Sequence, residues 1–368
     1  MSDFAKRVGI LGSGFGTRVT ARALREEGWD IRGLFSRRAE RAEEVASRLE
    51  IPFHTDDAEA LIARDDIEAV VVSTPTSTHH AFVLAALAAG KHVLCEKPFA
   101  HDLGEAREMI AAAQASDLTT MCNFEFRYGD HRLHLTKLIE DGLIGTPQSA
   151  TATVYFARAM ASSALDWRSQ LAMGGGALNE HGSHYFDALR GWMGEVTSIS
   201  ARLATHEPAR TDPETGAELT SDADDYVAAT LTFASGAIAN VSIVWSERVP
   251  ASGDLYITGP GGTVHHHSPS GLFGTGTITH TPPMAPGAGR RGPGEEGPPL
   301  ALPPEIEPIA GEGIVVASQR LLRDFERGIV EGTSPTPNFE DGLRAQLMLD
   351  GARESARTGQ LVPLEGDS

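Results

Sequence analysis

The chain has 368 residues, 41% of them hydrophobic, and its 31 Lys and Arg against 50 Asp and Glu give a net charge of −19. This length favours two domains, and the acidic balance argues against nucleic acid and anionic membranes as partners. Its two cysteines, Cys95 and Cys122, lack the spacing of a disulfide framework or a zinc site. Because neither a membrane-spanning run nor a secretion signal is evident, we expect a cytoplasmic protein.

Short apolar segments alternate with amphipathic ones over residues 1–123. This alternation predicts a parallel sheet covered by helices on both faces, the doubly wound Rossmann fold of an α/β protein. The predicted strands are 7–11, 30–35, 69–73, 92–95 and 119–123. The predicted helices are 19–27, 38–49, 57–63, 78–89 and 103–115, the last capped by Asp102.

A glycine-rich turn joins the first predicted strand to the first helix. Backbone N–H groups at such a turn and the positive end of the helix dipole suit a dinucleotide pyrophosphate. The usual fingerprint has a third glycine where Thr17 stands, so the match is imperfect. The cofactor-binding residues predicted here are Gly12, Ser13, Gly14, Phe15, Gly16 and Thr17.

The end of the second predicted strand carries Ser36, Arg37 and Arg38, where an NAD-binding chain has a carboxylate for the ribose 2′-hydroxyl. Guanidinium groups suit a phosphate better than a neutral ribose. These three residues therefore predict NADP as the preferred cofactor, with NAD as the alternative.

Two further motifs begin where predicted strands end. Because the carboxyl ends of parallel strands line one crevice, we expect both motifs at the cofactor. They place Ser73, Thr74, Pro75, His79, Glu96 and Lys97 beside the predicted cofactor.

Beyond a predicted helix at 131–140, strand patterns follow one another with few helices between them, which indicates an α+β second domain, residues 124–368, with a mixed or antiparallel sheet. The predicted strands are 148–156, 196–203, 226–233, 237–245 and 253–258. A segment rich in Gly and Pro, 268–308, is predicted to be a mobile loop, and helices at 314–330 and 339–357 follow it.

Within the second domain, a run of three glycines at 174–176 leads to Glu180 and His184. Their spacing of four residues places both side chains on one helix face, where a carboxylate and an imidazole can act on one ligand. A purely structural histidine and a metal site are the alternatives, although hydride transfer to a nicotinamide needs no metal and we expect none. The tripeptide His265–His267 is interpreted as a solvated strand end, with adventitious metal chelation as the alternative.

Taken as a set, the motifs resemble the Gfo/Idh/MocA family of NAD(P)-dependent oxidoreductases. The residues that carry the resemblance are the turn at 12–17, Ser73-Thr74-Pro75 with His79, Glu96-Lys97-Pro98, Asn123 with Arg127, Trp167-Arg168, and Gly174-Gly175-Gly176 with His184 and Asp187.

The resemblance implies a Rossmann domain joined to a C-terminal domain with a large open sheet, a homodimer or homotetramer, and a sugar, inositol or related polyol as substrate. It implies catalytic roles for Lys97 and His184. It adds Asn123, Trp167 and Arg168 to the predicted cofactor contacts.

One departure concerns the presumed catalytic helix. The family usually has Asp where this chain has Glu180, and often an apolar residue in place of His181. A longer carboxylate changes which substrate hydroxyl it can hold, so this departure bears on the substrate more than on the reaction class.

The expected reaction is a reversible hydride transfer between a secondary alcohol carbon and the nicotinamide. In it His184 acts as the base, Lys97 stabilises the substrate oxygen, and Glu180 orients the substrate or tunes His184. Which of Lys97 and His184 moves the proton stays open. The alternatives are reduction of a non-sugar carbonyl or a C=C bond, nicotinamide-assisted glycoside cleavage, and a non-catalytic dinucleotide sensor.

Overall fold

A computed structural model of the chain describes residues 4–156, 164–246, 250–270, 276–283, 297–303, 306 and 313–364. The chain divides into a first unit, Met1–Tyr128 with Ala310–Gln346, and a second unit, Gly129–Ile309 with Leu347–Ser368. The domain boundary predicted at residue 123 lies near Tyr128, where the first segment of the first unit ends. The prediction assigned residues 310–346 to the second domain, whereas in the structure they group with the first unit.

The first unit contains a six-stranded sheet in which every pair of neighbouring strands is parallel. The spatial order of the strands is 3-2-1-4-5-6, which confirms the predicted doubly wound fold. The two-residue third strand is too short to give a pattern and was missed. The strands are β1 (Arg7–Leu11), β2 (Asp30–Phe35), β3 (His54–Thr55), β4 (Ala69–Val72), β5 (His92–Glu96) and β6 (Thr120–Asn123).

Helices connect these strands, and their first turns follow the predicted capping. The carboxylate of Asp102 accepts a hydrogen bond from the Glu105 N–H, and Asp57 does the same for Glu59 and Ala60. The helices are α1 (Ala21–Glu26), which continues from a π-helical turn at Gly16–Thr20, then α2 (Ala39–Arg48), α3 (Ala58–Ile62), α4 (His79–Ala88) and α5 (Leu103–Gln114).

The second unit is built on an eight-stranded mixed sheet, ordered β15-β14-β13-β7-β12-β11-β8-β16, in which only β7 and β12 pair in parallel. Burial alternates along its strands, so one face is buried and the other is accessible. Its strands are β7 (Ser149–Tyr155), β8 (Val196–Ala204), β11 (Tyr226–Phe233), β12 (Ile238–Val244), β13 (Ser252–Gly259), β14 (Gly262–Ser268), β15 (Thr277–Thr281) and β16 (Val362–Pro363). A separate hairpin joins β9 (Ala209–Thr211) and β10 (Glu218–Thr220).

The predicted loop at 268–308 requires a correction, because it contains β15. Three threonines and an isoleucine among the five residues of this strand favour an extended backbone, and β15 pairs along β14. The nearby glycines and prolines hid this pattern. Residues 271–275, 284–296, 304–305 and 307–308 of the predicted loop lie outside the described residues.

Two helices of the second unit precede and follow the glycine run at 174–176 in the chain. They are α6 (Asp130–Glu140) and α7 (Ser183–Met193), and α7 continues from a π-helical turn at Leu178–Gly182. Of the last two helices, α8 (Gly313–Glu331) belongs to the first unit, and α9 (Phe339–Thr358) begins there and ends in the second. None of the described helices is both long and apolar enough to cross a membrane.

Helix α8 contributes to the core beneath β1 and α1. The ring of Phe325 is fully buried and stacks on Trp29, with 5.8 Å between ring centroids and 10° between ring planes. Val315, Leu321 and Ile329 extend this cluster. The first unit is therefore closed by a helix nearly 300 residues distant in the chain from Trp29.

Replacing Phe325 by Ala leaves a cavity in this cluster, so we expect the free energy of unfolding in urea to fall by about 3–5 kcal/mol. Val330 on the same helix is 52% exposed, and Val330→Ala is expected to change stability by less than about 0.5 kcal/mol. Equal effects of the two substitutions would contradict this packing.

Candidate functional site

The glycine turn after β1 is fixed by close contact with the end of β4. Gly12 has a φ of +123°, and a Cβ atom there would lie 2.1 Å from the Ser73 carbonyl oxygen. A Cβ atom on Gly16 would lie 2.9 Å from that of Ser73, whose hydroxyl accepts the Gly16 N–H at 2.9 Å. Both positions therefore require glycine.

Gly14 differs from the other two glycines, because in the described part of the chain no atom beyond its immediate neighbours lies within 4 Å of the place where its Cβ would stand. The backbone here is bare and accessible, as the approach of a pyrophosphate requires. Thr17 is buried and donates a hydrogen bond to the Ser13 carbonyl at 3.0 Å. The threonine that departs from the fingerprint thus stabilises the turn from within.

The end of β2 lies beside this turn. The hydroxyls of Ser13 and Ser36 are 2.9 Å apart and share a hydrogen bond. Arg37 and Arg38 are exposed, and among the described residues no hydrogen bond or ion pair holds either guanidinium. Helix α2 then begins with no side chain capping its first turn. Two cations thus stand where a negatively charged group could bind both them and the helix end.

His79 connects the turn after β4 to the turn after β5. Its Nε2 atom lies 2.9 Å from the Thr74 carbonyl oxygen, and its Nδ1 atom lies 3.0 Å from that of Pro98. Burial lowers the pKa of His79, although these carbonyls act in the opposite direction. The ring is enclosed, so its contribution is to position the segment that carries Lys97. The two predicted motifs are thereby joined within the first unit.

A pair of buried carboxyls accompanies Lys97, and sequence reasoning found only one of them. Asn123 donates to Glu96 at 2.6 Å. Glu125 is 1% exposed, and its Oε2 atom has no hydrogen-bond partner among the described residues. Burial raises the pKa of both carboxyls, Glu96 raises that of Glu125 further, and the Lys97 charge opposes both shifts. Glu125 follows Asn123 by two positions, and no sequence motif distinguishes it.

In the second unit, the glycine run acts as a packing surface. A Cβ atom on Gly175 would lie 2.3 Å from the Arg168 carbonyl oxygen, and one on Gly176, whose φ is +107°, would lie 2.3 Å from an Asp224 carboxylate oxygen. Asp224 accepts the Leu178 N–H at 2.8 Å, while burial raises its pKa to about 6. Asp224 belongs to no sequence motif, yet it holds the start of the helix that bears Glu180.

The structure brings together three predicted residues next to this run. The guanidinium of Arg168 lies 4.5 Å from the centre of the Trp167 ring and donates from Nε to Glu180 at 2.8 Å. Glu180 thus engages an arginine that the sequence analysis assigned to the cofactor. Glu180, whose side chain is one methylene longer than that of Asp, forms this ion pair with Arg168.

The two histidines of the helix have different environments. The indole N–H of Trp245 donates to His181 Nδ1 at 2.9 Å, and Phe156 stacks on the same ring at 4.2 Å. Since an indole can only donate, a neutral His181 carries its proton on Nε2. His184 is 2% exposed, on the same helix as Asp187, whose carboxylate lies 3.7 Å from the Arg132 guanidinium. His181 is therefore held by aromatic packing, and His184 is the helix histidine retained as a candidate base.

The raised pKa of the buried Glu125 carboxyl links its protonation to the stability of the fold. The folded chain keeps a proton that the unfolded chain loses, so wild-type stability falls as pH rises from the usual carboxyl range through the raised pKa. The uncharged Glu125→Gln variant lacks this loss. We expect it to gain about 1 kcal/mol or more relative to wild type between pH 5 and pH 9, measured by urea unfolding.

Glu43→Gln on the exposed side of α2 serves as the matched control. It should follow the wild-type pH dependence. A Glu125→Gln variant that also follows the wild type at both pH values would refute a protonated Glu125.

Two family models match the chain. Residues 6–124 match the oxidoreductase family with an NAD-binding Rossmann fold, and residues 133–265 match the GFO/IDH/MocA C-terminal domain. The chain is 30% identical over 337 residues to levoglucosan dehydrogenase from Pseudarthrobacter phenanthrenivorans, covering 86% of this chain and 85% of the relative. It is 34% identical over 169 residues to 1,5-anhydro-D-fructose reductase from Ensifer adhaerens, covering 46% and 50% of the two chains.

Among solved structures, levoglucosan dehydrogenase in complex with NADH and L-sorbose superimposes with a TM-score of 0.86 at 26% identity, covering 98% of both chains. The structural similarity to levoglucosan dehydrogenase thus covers both units of this chain. With the Rossmann sheet, the glycine turn and both family models in agreement, the chain belongs to the Gfo/Idh/MocA family of oxidoreductases.

Proposed function

We propose that this chain is an NADP-preferring dehydrogenase or reductase that transfers a hydride between the nicotinamide and a secondary alcohol or ketone of a sugar or related polyol. The observation that carries the proposal is the linkage of the Lys97 turn to the glycine turn through Ser73, Thr74 and His79. The sugar class is supported by the similarity to levoglucosan dehydrogenase and 1,5-anhydro-D-fructose reductase.

The first unit has the features that a dinucleotide needs. The bare backbone at Gly14 admits a pyrophosphate, and Ser13 and Ser36 offer hydroxyls beside it. The exposed guanidiniums of Arg37 and Arg38 suit the additional 2′-phosphate of NADP. When bound, the nicotinamide supplies the hydride acceptor or donor.

In the proposed reaction, the neutral imidazole of His184 removes the proton from the substrate hydroxyl during oxidation. The ammonium group of Lys97 donates a hydrogen bond to the same oxygen and stabilises its developing negative charge. Glu180 positions Arg168 through their ion pair, and the two together present donors and acceptors to sugar hydroxyls.

Substitution of either catalytic residue tests this assignment. We expect Lys97→Ala and His184→Ala each to lower kcat by about two to four orders of magnitude, because each removes a group needed for proton transfer or charge stabilisation. NADPH binding, followed by fluorescence, should persist in both. Substrates for the assay are levoglucosan and a panel of sugars, inositols and keto-sugars, each with both cofactors.

The matched controls are Lys137→Ala on the surface of α6 and His80→Ala, whose imidazole pairs with Glu108. Both should keep turnover within about twofold of wild type. Near-normal rates in both Lys97→Ala and His184→Ala would eliminate the proposed mechanism.

Cofactor preference rests on Arg37. Because a hydrogen bond to a charged group contributes about 1.5–3 kcal/mol, Arg37→Ala should weaken NADPH binding by roughly 10- to 100-fold and leave NADH binding nearly unchanged. Arg48→Ala, in the last turn of the same helix α2, is the control. Equal affinity of the wild type for NADH and NADPH, unaltered in Arg37→Ala, would contradict the NADP preference.

A further inference from the structure

Two histidines and an aspartate, all residue types that can ligate a metal, lie together on the accessible face of the second unit's sheet. None of them is among the proposed catalytic residues. Strands β13 and β14 pair so that Asp254 lies directly opposite His267 and Tyr256 lies opposite His265. Side chains two residues apart in a strand share a face, so Asp254, His265 and His267 project together. His266, between the two histidines, points to the buried face and is 3% exposed.

The three ligand atoms converge closely. Asp254 Oδ1 lies 2.8 Å from His265 Nε2 and 3.0 Å from His267 Nδ1, and all three atoms lie within 4.8 Å of one another. Zinc bonds of about 2.0–2.2 Å in tetrahedral geometry set ligand atoms roughly 3.3–3.5 Å apart. Small side-chain rotations therefore suffice to place one ion among the three.

Neighbouring contacts restrict these side chains before any ion binds. The Tyr256 ring stacks on His265, with 4.0 Å between ring centroids and 9° between planes. The stacked ring and the two hydrogen bonds of Asp254 thus hold the three side chains close to one another.

We propose that Asp254, His265 and His267 form a binding site for a divalent ion of the zinc class. Two imidazoles and one carboxylate are the donors that Zn²⁺ uses where three protein ligands leave a further position open, whereas Mg²⁺ favours oxygen donors. His267 is exposed, so water or an exogenous ligand can occupy the open position. The site is separate from hydride transfer, which requires no metal.

Binding of ZnCl₂ to the chelator-treated full-length protein tests the proposal by calorimetry at pH 7.5. We expect one Zn²⁺ per chain in the wild type, at least tenfold weaker binding in His265→Ala and in Asp254→Asn, and no comparable binding of MgCl₂. His54→Ala removes an exposed histidine of the first unit and should leave the affinity unchanged.

A spectroscopic measurement separates loss of ligands from loss of folding. Co²⁺ substituted for Zn²⁺ should give the visible absorption of a low-coordinate site in the wild type and lose it in His267→Gln, while circular dichroism stays unchanged. Equal Zn²⁺ affinity in the wild type, His265→Ala and Asp254→Asn would overturn the site. So would an unchanged Co²⁺ spectrum in His267→Gln.

Discussion

Two backbone segments of the first unit approach each other so closely that no methyl group can stand between them. The turn after β1 rests on the end of β4, with Gly12 against the Ser73 carbonyl and Gly16 against the Ser73 side chain. Ser73 also holds the Gly16 N–H. From this contact His79 extends the connection through Thr74 to the segment bearing Lys97. Close packing and hydrogen bonds therefore connect the cofactor turn to the segment that bears the proposed catalytic lysine.

The second unit also relies on glycines that let other residues approach closely, but the residues that they contact differ. Glycines again allow close backbone approach, here of residues 175–176 to Arg168 and Asp224. A carboxyl group, rather than a serine, then receives the N–H at the start of the helix. In both units the glycines allow close packing because they lack a Cβ atom. The polar residues that this packing brings together are the ones proposed to carry the chemistry. Substituting those glycines would therefore displace the chemistry indirectly.

Much of the fold follows from local patterns in the sequence. The five longer strands of the first sheet and their helices were predicted because periodicity and capping are local properties, as at Asp102. Strands such as β15 were missed because glycine and proline nearby obscured a short extended segment. Candidate site residues could be selected from the sequence where motifs coincide with strand ends, as at Lys97. Glu125 and Asp224 were not, because their importance comes from burial and from partners distant in sequence. The NADP preference, the oligomeric state and the catalytic roles stay predictions.

The position of α8 has a consequence for the order in which the protein can fold. Phe325 completes the cluster around Trp29, so the first unit lacks part of its core until the ribosome has synthesised more than 320 residues. The whole second unit up to Ile309 emerges before that helix does. Folding from the N-terminus during synthesis therefore leaves an apolar surface beside Trp29 open through most of translation. Nascent chains of this protein therefore leave accessible an apolar surface that the finished protein buries.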